Sequence, residues 1–499
     1  MTDTAKLLHQ PQPAAQRSFK DLIHNRLPSV PASFPQDATF DEATATWNYL
    51  AQAHPVGVVA PRSTAEVQEI IRCAREAEVT QLAIRSGGHS FEGASLGGRD
   101  GRAVVIDMVE MDDISIDRDA QTATVGGGTL TGNLMVAAFQ QGGLMLPTGE
   151  CIAVGIGGQI QCGGYGHYSR TYGILTDRLS RAEMVLADGS VVTVDEQHNP
   201  DLFWAIRGSG TGSFGVITSL TVELNKAPAA PANFFVKYPL TDAASFVSTF
   251  KALQEYSLSA PPAFNPMIVI WRGHLEILGS LATETDAERD ALVADMREKL
   301  PPTDQFDIRP ADYVETMRIQ GLEDTSAPYY PDLSDVRRER REHLRYMKIK
   351  AGFVPEPFTG EFIETLAEFA ITQPTEGLRI QLLALDPDSG LPAEATAIKN
   401  RGCPWLMGMS CWVPLSDAGD IDTMAATGKK YEQWLDQAYE IFYPYTTGGY
   451  IGDDDYAEAD HGRDIFDSYY GRHLPRLQAV KAKYDPDNLF HHKLSIPLK

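Results

Sequence analysis

The sequence predicts an α+β protein built from two unlike parts. Between residues 40 and 230, short helical and strand patterns alternate among many glycines. Between 231 and 445, longer helical stretches alternate with strand-like runs, which suggests an antiparallel sheet carrying helices on one face. The Pro/Ala stretch from Asn225 to Ala232 separates the two, and residues 446–499 change character again.

Residues 1–39 are expected to be a flexible leader. They contain no continuous apolar stretch and no small-residue cleavage site, which points to a cytoplasmic start. Ser63-Thr64-Ala65-Glu66 has the spacing of a capping box, and Val67, Ile70, Ile71 and Ala74 follow at helical spacing. That helix should lead into a strand at Gln81 to Ile84, followed by strands at Ala103 to Asp107 and Thr122 to Val125. Met184 to Leu186 and Val191 to Val194 flank an Asp188-Gly189 turn, and Ser213 to Leu224 reads as the last strand of this part. In the second part, helices are expected at Asp286 to Lys299 and Gly360 to Phe369. Strands are expected at Met267 to Trp271, Leu378 to Leu385 and Trp405 to Trp412. The charge run Arg337 to Arg341 reads as a solvated helix face.

Composition narrows the function. A chain of 499 residues can bury large cores, and 43% apolar with 22% charged residues fits a globular protein. Lys and Arg number 43 against 67 Asp and Glu, a net charge of −24 that repels phosphate backbones and argues against nucleic acid as a partner. No apolar run approaches the roughly 18 residues of a membrane span, so no membrane partner is expected. The five cysteines make no disulfide framework, and no C-x-x-C pair suggests a metal site.

Two glycine-rich runs carry the chemistry. The first is Arg85-Ser86-Gly87-Gly88-His89-Ser90. The second opens at Cys151 and continues through Val154, Gly155, Gly157 and Gly158 to Gly164-Tyr165-Gly166. Consecutive small residues let backbone N–H groups converge on an anion, so these runs fit two walls of a pyrophosphate cradle. Neither G-x-G-x-x-G opening a helix nor a P-loop is convincingly present, which disfavours the ordinary nucleotide folds. Cys162 is expected only to pack.

Both runs resemble the berberine-bridge-enzyme-like oxidases, within the vanillyl-alcohol-oxidase type of FAD proteins. Further blocks extend the resemblance: Tyr172-Gly173-Ile174-Leu175-Thr176-Asp177, Asp201 to Gly208 (DLFWAIRG), Gly215-Val216-Ile217-Thr218, and Tyr484 to Phe490 with Ser495-Ile496-Pro497. The resemblance implies a two-part PCMH-type FAD-binding domain at 40–230, a substrate domain at 231–445 and a carboxyl-terminal segment returning to the first domain. It implies FAD bound covalently through His89 to the 8α-methyl carbon and through Cys151 to C6. Ile217 falls near the adenine side. Val154 matches the position that gates oxygen, where a small residue goes with oxidases and dioxygen as acceptor.

The match fails in the substrate region. Relatives carry a Tyr-x-Asn-Tyr run whose second Tyr is the base; here it reads Tyr450-Ile451-Gly452-Asp453. Tyr450 and Gly452 keep the cofactor-side positions, Tyr450 is also a catalytic candidate of smaller expected effect, and Asp453 is the candidate base because a desolvated carboxylate beside a flavin is a competent proton acceptor. The alternative is that Asp453-Asp454-Asp455 is an exposed acidic turn. On the strand after Leu378, alternation places Arg379, Gln381 and Leu383 on one face, with Gln381 a candidate to orient a hydroxyl. The expected function is an oxidase that takes hydride from a C–OH or C–NH carbon of a sugar or secondary metabolite and yields hydrogen peroxide. The alternatives are oxidative cyclisation or desaturation, and a flavin-binding protein without turnover.

Overall fold

The computed structural model describes residues 13–99, 101–320, 344–375, 377–385 and 391–499. The charge run Arg337 to Arg341 lies outside the described residues.

The first part holds two sheets. One has four strands in the order Ala32–Ser33, Gly57–Val59, Val104–Asp107, Leu82–Arg85, and the last three are mutually parallel. The Thr64–Glu76 helix is their crossover, burying Val67, Ile70, Ile71 and Ala74. Ser63 Oγ caps it by accepting from Glu66 N at 3.3 Å. The capping box is only half made, because the Glu66 carboxylate accepts from Arg62 N at 2.6 Å instead of reaching the backbone of Ser63. The leader is corrected as well. A helix over Pro13–Arg26 inserts Phe19 and Ile23 into the core that holds Ile70 and Ile71, so apolar burial fixes this segment.

The second sheet is antiparallel, in the order Ile114–Asp117, Thr122–Gly126, Val216–Glu223, Leu179–Val185, Val191–Val194. The hairpin around Asp188-Gly189 forms, with Gly189 at φ +82°. Its first strand begins at Leu179, earlier than expected.

The third sheet has seven antiparallel strands. Their order is Phe306–Pro310, Ala232–Pro239, His274–Leu281, Phe264–Trp271, Leu378–Ala384, Trp405–Pro414, Arg345–Val354. Helices Ala243–Ser259, Asp286–Lys299, Gly360–Thr372 and Ile421–Phe442 cover one face, where Ile268, Ile270, Ile380, Leu382, Met407 and Met409 are buried. The other face turns towards the glycine loops, bringing Met267, Leu383 and Leu406 against Tyr165 and Ile174. Period-two alternation thus supplies both a core face and a site face from one sheet.

The tail closes the structure. Phe490 bridges Leu82 in the first sheet, and Leu477, Leu494 and Ile496 enter the core of the second. Lys481 is fully buried, and its ammonium donates to Ser213 O, Phe490 O and the Asp485 carboxylate at 2.6–2.7 Å. Arg401 donates to both oxygens of Asp177 at 2.9 and 2.5 Å, tying the seven-stranded part to the glycine-rich part. Among the described residues no helix is long and apolar enough to cross a membrane.

Candidate active site

The two glycine runs meet backbone to backbone. A Cβ placed on Gly87 would lie 2.3 Å from Gly155 N, and one on Gly155 would lie 2.1 Å from Gly87 N. Any side chain at either position would drive the walls apart. A third wall was not expected from the sequence: Ser86 Oγ donates to Gly127 O at 2.7 Å, and a Cβ on Gly157 would lie 2.4 Å from the same oxygen. The run Gly126-Gly127-Gly128 carries the signal that would have found it.

These walls form one side of a cavity of about 360 Å³, lined there by Ser86, Gly87, Gly88, His89, Ser90, Gly155, Gly157 and Gly158. Cys151, Val154, Tyr165, Ile217, Tyr450, Gly452 and Asp453 also line it. Three expected cofactor residues do not. Arg85 is buried behind the loop, where its guanidinium pairs with Asp107 at 2.5 Å. Gly164 faces Leu175 and donates its N–H to Tyr450 Oη at 3.4 Å, and Gly166 packs on the backbone of Thr148 and Gly149. All three act from outside the cavity, Arg85 through its buried ion pair and Gly164 and Gly166 through the close approach of their backbone.

His89 and Cys151 converge although 62 residues separate them in sequence: Cys151 Sγ lies 4.0 Å from His89 Nδ1. Trp47 stacks on the His89 ring at 5.2 Å between centroids, a contact no local motif announced. Cys162 is buried, and burial pushes its thiol well above the ordinary range, as its packing role requires.

The opposite wall is the open face of the seven-stranded sheet. Arg379, Gln381 and Leu383 all line the cavity, as alternation required, beside Met347, Ile349 and Trp412. The Gln381 side chain lies across Gly408, and its buried Oε1 has no hydrogen-bond partner among the described residues. An acceptor left open in such a place suits a donor from a bound molecule.

The tail supplies the rim. Asp453 N donates to Tyr450 O at 3.0 Å, closing a tight turn that folds the Tyr450 ring over Gly452. A Cβ on Gly452 would lie 2.4 Å from that ring, so an Asn here, as in relatives, would displace it. Burial, with Cys162 and Asp453 nearby, holds the Tyr450 phenol well above its usual acidity range, so it stays protonated.

The exposed acidic turn is corrected by burial. Asp453 is half-buried, while Asp454 and Asp455 are 6% and 1% exposed. Asp455 pairs with Lys348 at 2.5 Å and with Lys350 at 2.7 Å. Burial alone would raise its pKa, and the two ammonium groups overrule that and hold it at about 2. Lys348 also pairs with Glu92, and Lys350 with Asp436 at 3.0 Å. Sequence reading missed this network because its carboxylates lie on segments far in sequence from Lys348 and Lys350.

The cavity therefore joins a side-chain-free cradle suited to a polyphosphate to a wide slot flanked by an imidazole and a thiol. That donor set fits FAD, and among the described residues no group of His, Cys, Asp and Glu could hold a metal ion. The comparisons agree. Residues 55–195 match the model of the FAD binding domain, and residues 451–497 match that named berberine and berberine like. Xylooligosaccharide oxidase from Thermothelomyces thermophilus is 24% identical over 89% of this chain and 87% of its own length. The wild-type BBE-like 1 structure from Physcomitrella patens is 26% identical, covering 97% of this chain and 99% of that one with a TM-score of 0.82. Glucooligosaccharide oxidase from Acremonium strictum, whose flavin is a 6-S-cysteinyl, 8α-N1-histidyl FAD, shares the fold at TM-score 0.82, 22% identity and coverage of 96% and 99%. The chain thus carries an FAD binding domain and a berberine-like carboxyl-terminal segment, and along most of its length it is similar to berberine-bridge-enzyme-like, FAD-linked oxidoreductases.

Proposed function

We propose that the protein oxidises a C–OH or C–NH carbon of a sugar or secondary metabolite and passes the electrons to dioxygen, releasing hydrogen peroxide. The observation that carries this reading is that one cavity is lined by His89 and Cys151, which lie 4.0 Å apart, and also by Gln381 and Asp453. FAD bound there supplies the hydride acceptor and the route to oxygen. His89 and Cys151 are the residues that hold it covalently, and the backbone of Ser86 to His89, Gly155, Gly157 and Gly158 cradles its phosphates. Val154, at the cavity wall, leaves room for dioxygen.

The chain's own part in turnover is to place the substrate and take its proton. Gln381 Oε1, buried and open, accepts from the substrate hydroxyl and fixes which carbon faces the cofactor. Asp453 replaces the family's tyrosine as proton acceptor. Tyr450 is the wrong group for that task because burial keeps its phenol protonated. The sheet wall excludes water with Met347, Ile349 and Leu383.

Anaerobic stopped-flow reduction of the flavin by candidate alcohols tests the proposal. Asp453→Asn is expected to slow reduction at least about tenfold, the low edge of what a positioned base contributes. Reduction of Asp453→Asn at the wild-type rate across pH would remove Asp453 from the mechanism.

A further inference from the structure

The buried carboxyl of Asp454 takes no part in the mechanism above, yet it anchors the loop that presents His89. Its Oδ2 accepts from Ser90 Oγ at 3.2 Å, and its Oδ1 accepts from Phe91 N at 3.1 Å. Ser90 Oγ in turn accepts from Ala94 N at 2.9 Å, so its one hydrogen is free for Asp454. The Phe91 peptide is held from its other side as well, its carbonyl accepting from Asn48 Nδ2 at 3.1 Å. Asn48 also exchanges hydrogen bonds with the backbone of Met347 at 2.9 and 3.0 Å, joining the loop to the site face of the sheet. The His89 ring is thus fixed by Trp47 above and by these bonds behind.

Asp454 differs from its neighbours in having no cation within ion-pair distance among the pairs described. Glu92, Asp455 and Asp436 face Arg99, Lys348 and Lys350, so that cluster is balanced without it. We propose that Asp454 is a titratable positioning residue, whose carboxylate form locks the Ser90–Phe91 backbone and thereby sets the His89 imidazole for attachment to the flavin. This rests on His89 being a flavin anchor: the bond from the imidazole nitrogen to the 8α carbon replaces a C–H bond of that methyl group, the proton is lost, and the two electrons left on the ring pass to dioxygen, the acceptor in the proposed reaction. Both oxygens act as acceptors only when the group is ionised; protonation spends one of them as a donor and slackens the loop.

The groups facing Asp454 are Ser90, Phe91 N and Glu92 from the His89 loop, Lys348 from the sheet, Cys162 from the second glycine run, and Tyr456 and Tyr470 from the tail. Burial first, then the Glu92 charge, lift its pKa to about 7, against which Phe91 N, Lys348 and Ser90 pull. The lock therefore switches within the ordinary pH range.

Two readouts on purified holoprotein test this, using Asp454→Asn, which keeps the shape but loses one acceptor, and Asp454→Ala, which loses both. Peptide mass mapping should show the ratio of His89-linked to unlinked chains falling roughly tenfold in Asp454→Asn, the factor that one lost hydrogen bond to a charged group is worth. The link at Cys151 should persist. Absorbance of the oxidised flavin between pH 5.5 and 8.5 should contain, in the wild type, a transition centred near 7 that Asp454→Asn lacks. Wild-type attachment at His89 in the variants, with the same titration, would overturn the proposal. A wild-type protein with no flavin on His89 would instead overturn the anchor reading, and the presence or absence of the transition would then decide whether Asp454 titrates against the cofactor.

Discussion

The two walls of the cavity are built on opposite principles. The glycine wall is backbone: its loops approach so closely that a single added methyl group would meet main-chain atoms at 2.0–2.4 Å. The sheet wall is side chain: Met347, Ile349, Arg379, Gln381 and Leu383 project from strands whose geometry any residue could share. A backbone wall binds what is common to every turnover, and at Gly87, Gly155 and Gly157 it leaves no room for a side chain. A side-chain wall binds what differs between substrates, and it changes without disturbing the fold. The departures at Gly452 and Asp453 and on the Arg379 to Leu383 strand accordingly fall on the tail and the sheet.

The largest effect is expected where the backbone wall is breached. Gly155→Ala sets a Cβ 2.0 Å from Ser86 Oγ and 2.1 Å from Gly87 N. Overpacking of this kind costs typically about 1–3 kcal/mol, and here the Gly87 backbone, with Ser86 held by its bond to Gly127 O, puts the cost at about 3. Urea unfolding with flavin content should show both falling. An alanine variant that keeps full flavin would mean that the loops are softer than their contacts indicate.

Asp455→Ala should cost a similar amount, about 3 kcal/mol, because it leaves two buried ammonium groups short of a partner. The sign of the pH effect follows from the depressed pKa. Asp455 contributes stability above its unfolded value of roughly 4, and that contribution is lost as pH falls towards 2. Acid titration of the wild type should thus show a loss of stability between those limits that the variant lacks; parallel curves would take Asp455 out of the acid transition.

The glycine wall was legible in sequence and the sheet wall only in outline. Ser86-Gly87-Gly88-His89 and Gly155-Ile156-Gly157-Gly158 announce close approach because no other residues permit it. Alternation was enough to put Arg379, Gln381 and Leu383 on one face. What it could not supply was the partner across the cavity. Trp47 on His89, Asn48 between Phe91 and Met347, and Asp455 between Lys348 and Lys350 are contacts between distant segments, with no periodicity to mark them. The same lack hid the burial of Asp454, since three consecutive aspartates read as solvated until Lys348 and Lys350 are brought beneath them.

A smaller effect, confined to one half-reaction, is expected where the walls meet. Val154→Leu fills space beside Cys151 and should slow reoxidation of the reduced flavin by roughly tenfold, about the selectivity one or two methylenes confer in a tight apolar site. Reduction by substrate should be little changed. Stopped-flow mixing with aerated buffer separates the two, and equal reoxidation in both proteins would remove Val154 from the oxygen path.

The central claim is that the backbone wall delivers one cofactor to two anchors. The direct measurement is peptide mass mapping of the yellow wild-type protein after acid precipitation and trypsin. The account predicts one species in which the peptides bearing His89 and Cys151 are joined through a single FAD, reduced to a single link in either His89→Ala or Cys151→Ala. Unmodified peptides at both positions, with all the colour left in the acid supernatant, would contradict it.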